Sequence, residues 1–157
     1  MLIGLNIALL VVLFDQLSKY YMLHDVLHNT MIIYVTPFFN LVRAWNTGVS
    51  FSMFNNYGNV GAWILSGLAM LIVIFLLCWL KSEKSVWAKY ALGMIIGGAV
   101  GNVIDRIRLG AVFDFLDFHV GESHWPAFNV ADSFICVGAA ILIIQSFFFH
   151  YKQKEGK

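Results

Sequence analysis

The chain has 157 residues, 60% of them hydrophobic and only 12% charged, against about 25% charged in an ordinary soluble domain, so the composition points into a membrane and away from a soluble globule. A formal net charge of +1, with the aromatic residues set in apolar runs and not between lysines and arginines, argues against a nucleic-acid partner. Cys78 and Cys136 both lie inside apolar stretches and read as small core or lipid-facing residues, neither a disulfide nor a metal pair.

A spanning helix needs roughly 20 mostly apolar residues to cross a hydrocarbon core about 30 Å thick. Four segments qualify, at about 2–22, 60–80, 86–107 and 128–149, which predicts an all-α integral membrane bundle forming a single domain over 1–157. The first segment has no basic leader and no small-residue cleavage site, so it reads as a retained anchor. Asp15 and Lys19 stand one helical turn apart near its end and can pair along one face; for Lys19 a plain interfacial ion pair stays open. Between the first and second segments, 31–35 and 38–42 are β-branched and aromatic runs separated by Thr36 and Pro37, which predicts a short hairpin or curled sheet. Lys81, Lys84 and Lys89 follow the second segment, and Lys152, Lys154 and Lys157 follow the fourth. By the positive-inside rule both groups are cytoplasmic, with both termini inside and two outer loops at about 24–59 and 108–127. Arg43, Arg106 and Arg108 fall at the outer boundary and ask for an acidic partner or a lipid phosphate.

The third segment carries Gly93, Gly97 and Gly101 at four-residue spacing, a packing stripe that lets a neighbouring backbone come close. The stripe runs into Asn102, Asp105 and Arg106, which can anchor the helix end and the loop after it by charge-assisted hydrogen bonds. After Gly110 the sequence AVFDFLDFH sets Asp114 and Asp117 among bulky apolar residues, and in an extended chain they fall on opposite faces. Asp132 lies early in the fourth segment with Asn129 one turn before it. A carboxylate there is stabilised by the helix dipole, so a cap-like role is open, although its distance past Pro126 argues against a simple N-cap.

An ionisable group inside a span costs roughly 2.5–3.5 kcal/mol on insertion scales and is a functional candidate by default. These groups gather at one membrane face, where Asp114 and Asp132 can meet. Two carboxylates facing each other share a proton, the arrangement of an aspartic protease. Ser18 beside Lys19 has no supporting motif for serine catalysis. A metal site from Asp105, Asp114, Asp117, His119 or Asp132 is conceivable, but no recognisable ligand spacing appears. Residues alone therefore leave three readings: a protease, a proton-relaying transporter, or a metal-dependent lipid-head-group enzyme.

Five ordered blocks narrow the choice: DQLSK at 15–19, NTGVSF at 46–51, GGAVGNVIDR at 97–106, VFDF at 112–115 and FNVAD at 128–132. Together they resemble the lipoprotein signal peptidases, the type II signal peptidases, over nearly the whole chain. The resemblance implies an aspartyl protease of the bacterial inner membrane with a β-cradle and loop on its outer face. Such an enzyme cuts just before a diacylglyceryl-modified cysteine near the outer leaflet, needs no cofactor or metal, works among membrane lipids and is inhibited by peptides of the globomycin type. It implies Asp114 and Asp132 as the catalytic pair. It also implies Asp15, Lys19, Asn46, Gly48, Gly98, Asn102, Asp105, Arg106, Asn129 and Ala131 as residues supporting the site or contacting substrate. Departures are Val49 and Ser50, where alanines are common, and Phe113, where valine is.

Overall fold

A computed structural model describes residues 1–48 and 59–155; Val49, Ser50 and Phe51 of the NTGVSF block lie outside the described residues. Helix α1 (Leu2–Tyr21) runs into a π-helical turn (Met22–Val26), followed by strands β1 (Ile32–Thr36) and β2 (Phe39–Asn46), helices α2 (Asn59–Ser82) and α3 (Val86–Leu109), strands β3 (Val112–Val120) and β4 (Ser123–His124), and helix α4 (Val130–Glu155). All four helices contain stretches long and apolar enough to cross a membrane. A bilayer core offers the backbone no water, so each span must satisfy its own N–H and C=O groups, and the helix does so within one segment.

Helix α3 packs against the other three, and its small residues explain how. Lipid tails are as apolar as leucine, so helices associate through close packing rather than through the hydrophobic effect. A Cβ placed on Gly97 would stand 2.6 Å from the Ala8 carbonyl oxygen of α1, and one on Gly98 would stand 2.5 Å from the Ala131 carbonyl oxygen of α4. One helix thus offers a glycine to each of two neighbours. Below these contacts Ala8, Val73, Leu76, Leu80, Leu92 and Ile96 form a buried cluster joining α1, α2 and α3, while Leu10, Phe14, Leu71 and Phe75 face outward, as lipid-facing side chains do.

The chain leaves α3 at Gly110, whose φ of 76° is left-handed and whose N–H donates to the Arg106 carbonyl oxygen at 3.1 Å. Glycine takes this conformation without steric cost, and the turn sends the chain straight into β3. The sheet is antiparallel in the order β1-β2-β3-β4. The expected hairpin is β1 and β2, with β2 running on to Asn46. The segment read from sequence as an outer loop, 108–127, holds β3 and β4, so the small sheet expected beside four spans is four-stranded and sits on one end of the bundle. Strand β3 pairs with β2, placing Asp114 opposite Ala44 and Asp117 opposite Asn40 across a bulge in β2. Leu27, Phe113 and Phe115 are fully buried under it.

The start of the fourth helix also differs from expectation. Phe128 exchanges backbone hydrogen bonds with Leu116 at 2.9 and 3.0 Å, so it belongs to the sheet, and α4 begins at Val130. Asp132 therefore lies in the first helical turn, three residues past Asn129 and not itself the N-cap, as its distance past Pro126 leads one to expect.

Candidate active site

Three helix ends and two strands meet around Asn129, which is completely buried. Asn129 is the N-cap of α4: its Oδ1 accepts the Asp132 N–H at 3.0 Å, while Asp132 Oδ2 accepts the Asn129 N–H at 3.2 Å. This reciprocal capping box satisfies two otherwise orphaned donors. A third, the Ala131 N–H, donates to Asp15 Oδ1 of α1 at 2.9 Å. The carboxylate of one helix thus caps the positive end of another, which is favourable on both hydrogen-bonding and dipole grounds. The close approach requires small neighbours, since a Cβ on Gly101 would lie 2.6 Å from Asp15 Oδ2.

Lys19 stands between two carboxylates, 2.9 Å from Asp15 Oδ2 and 2.9 Å from Asp105 Oδ2, and donates to Asn102 Oδ1 at 3.0 Å. All four side chains are buried, and each charge has a partner, as burial demands. Asp105 Oδ2 also accepts the Phe113 N–H at 3.1 Å, which ties the end of α3 to the start of β3. Gln16, which the sequence reading passed over, links Asp105, Asp15 and the Gly101 carbonyl oxygen; its only signal was one more polar side chain inside a span.

Upon this frame sit Asp114 and Asp132. Asp114 Oδ1 accepts from Asn129 Nδ2 at 2.6 Å, and Oδ2 accepts from Asn46 Nδ2 at 3.2 Å. Asp132 Oδ1 accepts from Asn102 Nδ2 at 2.8 Å. Asn129 is therefore bonded to both carboxylates at once. Asp114 is 2% exposed, whereas Asp132 is partly open. Burial first, and then the nearby charge of Asp132, push the Asp114 carboxyl up to about 7, against hydrogen bonds from Asn46 and Asn129 that favour its ionised form. Arg106 faces the same group, within electrostatic reach of Asp132, Asp114 and Asp105. Gly48 donates its N–H to Asn46 Oδ1 at 3.2 Å, Gly98 meets α4 at Ala131, and Ala131 is fully buried. Asp15, Lys19, Asn46, Asn102, Asp105, Asp114, Asn129 and Asp132 thus form one polar knot drawn from all five blocks.

Asp117 and His119 do not join it. Asp117 lies on the other face of β3, where Asn40 Nδ2 and His124 Nδ1 each approach it to 2.9 Å. Burial alone would raise its carboxyl, but the contacts with His124 and Asn40 outweigh it and hold it below the usual range. Among the described residues no three His, Cys, Asp or Glu side chains come together as a metal-binding set.

Chemically, the knot offers two coupled carboxylates, one of them protonatable near neutrality, at the end of the bundle that carries the sheet. Residues 7–148 match the signal peptidase (SPase) II family. The chain is 42% identical over 143 residues to a lipoprotein signal peptidase of Aeromonas hydrophila subsp. hydrophila, covering 90% of this chain and 86% of the relative. It is 45% identical over 146 residues to one of Teredinibacter turnerae, covering 91% and 86%. A solved bacterial membrane enzyme superposes with a TM-score of 0.78 at 28% identity, covering 92% of this chain and 87% of the other. With its family matched across nearly its full length, the chain belongs to the signal peptidase II family of membrane proteases.

Proposed function

We propose that this protein is an intramembrane aspartyl endopeptidase that removes the signal peptide from diacylglyceryl-modified prolipoproteins, cutting just before the lipidated cysteine. What carries this function is the joining of Asp114 and Asp132 through Asn129, with Asp114 pushed up to about 7. At neutral pH the pair holds one proton. Burial favours placing it on Asp114, and Oδ2, the oxygen with the longer 3.2 Å contact, is free to carry it. Asp132, partly open, takes a proton from the attacking water while the Asp114 carboxylic acid donates to the scissile carbonyl oxygen. Collapse of the tetrahedral diol returns a proton to the leaving amine and restores the pair. No covalent intermediate and no cofactor enter.

The remaining polar residues hold this pair in place. Asn46, Asn102 and Asn129 orient the carboxylates, the Asp15–Lys19–Asp105 group fixes the ends of α1, α3 and α4, and Arg106, Gly48 and Gly98 border the space where substrate or a peptide inhibitor of the globomycin type lies. The protein sits in the bacterial inner membrane with both termini cytoplasmic. The sheet forms an extracytoplasmic cradle at the outer leaflet, the depth at which a diacylglyceryl cysteine presents its scissile bond. The test is cleavage of a diacylglyceryl-modified prolipoprotein by purified wild type, Asp114→Asn and Asp132→Asn in detergent with a chelator present. Cutting by wild type alone supports the pair; near-normal turnover by either folded variant, or a metal requirement, overturns it.

A further inference from the structure

The geometry points to a second ligand site: a cavity between the first turn of α2 and the end of α3 that binds the phosphate of an anionic phospholipid headgroup. The cavity measures about 250 Å³ and is lined by Trp63, Arg106, Arg108 and Gly110, among others. Among the described residues its two guanidinium groups have donors to spare. Arg106 Nε is buried and has no hydrogen-bond partner among the described residues. None of the described ion pairs includes Arg106 or Arg108; the three aspartates act on Arg106 only through their field. Among the described residues Arg108 makes one long contact, to Gln16 Oε1 at 3.4 Å. A buried N–H without a partner is expensive, and the forked donors of arginine match phosphate oxygens.

The surroundings select a lipid rather than a free ion. Trp63, Ile107 and Leu109 are 60%, 55% and 47% exposed, so the polar cavity opens between apolar side chains at the end of two spans, with a tryptophan at the level where interfacial tryptophans anchor. A molecule bearing both phosphate and acyl chains satisfies the cavity and its rim together. Two arginines also disfavour a headgroup carrying its own cation, which makes an anionic glycerophospholipid the fit. The diacylglyceryl group of the proposed substrate has no phosphate, so the phosphate contact is additional to substrate binding; Arg106 borders both spaces, whereas of the two Arg108 lines only the cavity.

Native mass spectrometry of the full chain with phosphatidylglycerol, phosphatidylcholine or inorganic phosphate tests it. Wild type is expected to retain one phosphatidylglycerol in preference to phosphatidylcholine. Arg108→Gln is expected to weaken that retention roughly tenfold or more, from loss of a charge-assisted bond, and Arg108→Lys to fall between. Equal retention of the two lipids, retention unchanged in a folded Arg108→Gln, or capture of inorganic phosphate with no phospholipid retained would each overturn the site. Because the readout is binding, it stands or falls independently of whether the protein cleaves prolipoproteins.

Discussion

At the scale of single residues, the environment of Asp114 sets two measurable pH effects. With its carboxyl raised to about 7, the singly protonated pair should be lost above that value, so kcat/KM should decline on the alkaline side of about pH 7, with the apparent value belonging to the pair. Stability has its own sign. A carboxyl whose folded value lies above its unfolded value binds more protons folded than unfolded, so stability falls as pH rises from 3.8 through about 7. Asn cannot ionise; thermal melts should therefore show Asp114→Asn gaining on wild type across that window, and a constant difference would mean the carboxyl is not raised. Asn129 separates structure from chemistry in a different way. Asn129→Ala removes both the cap of α4 and the donor to Asp114, and should lower stability by about 1–2 kcal/mol through the cap alone. Asn129→Ser keeps a good cap but cannot reach Asp114, so it should retain most of the stability while losing activity. If the serine variant keeps full activity, the 2.6 Å bond to Asp114 does not position the carboxylate.

At the scale of elements, the helices were legible because span length and apolarity are set by the bilayer, and all four appear within a few residues of where the sequence places them, save the longer C-terminal end of α4. The sheet was half legible. Its β1–β2 hairpin is local and shows as two β-branched, aromatic runs, but β3 carries two aspartates, residues depleted in strands, and its partner β2 lies on the far side of two spans. The π-turn after α1, the bulge in β2 and the Phe128 pairing are equally tertiary. The candidate site residues stood out in the sequence as polar side chains in or beside apolar runs; how Asp15 reaches Ala131 did not, because it depends on how closely α3 lets α1 and α4 approach. That spacing can be tested without touching a charge. Gly98→Ala sets a Cβ 2.5 Å from the Ala131 carbonyl oxygen and 2.7 Å from Ile135 Cγ1, so α4 must move. It should cost roughly 1–3 kcal/mol and reduce turnover by displacing Asp132. Gly67→Ala, with nothing within 4 Å of the new Cβ, is the matched control and should be near neutral. Equal behaviour of the two in melting and cleavage would remove the close-packing account.

For the whole molecule, polarity is segregated by end. The carboxylates, amides and sheet gather where α1 and α3 finish and α4 begins, while Lys81, Lys84 and Lys89 mark the opposite end of the bundle. A proton relay would distribute ionisable groups through the span and at both faces; a protease acting on an outer-leaflet lipid needs them at one depth. Under the proposed function orientation is part of the mechanism, because the same bundle inverted would present its aspartates to the opposite leaflet. Cys78 and Cys136 are unpaired and exposed within apolar helices, so replacing both by Ala gives a background free of thiols. In that background Val120→Cys, at a site 84% exposed at the end of β3, should react with a membrane-impermeant maleimide in spheroplasts whose inner membrane is intact. Lys84→Cys, in the turn between α2 and α3, should react only after that membrane is opened. The reverse pattern would place Asp114 and Asp132 on the cytoplasmic side, out of reach of a cysteine held by acyl chains in the outer leaflet, and would defeat the proposed function even if the pair proved competent in detergent.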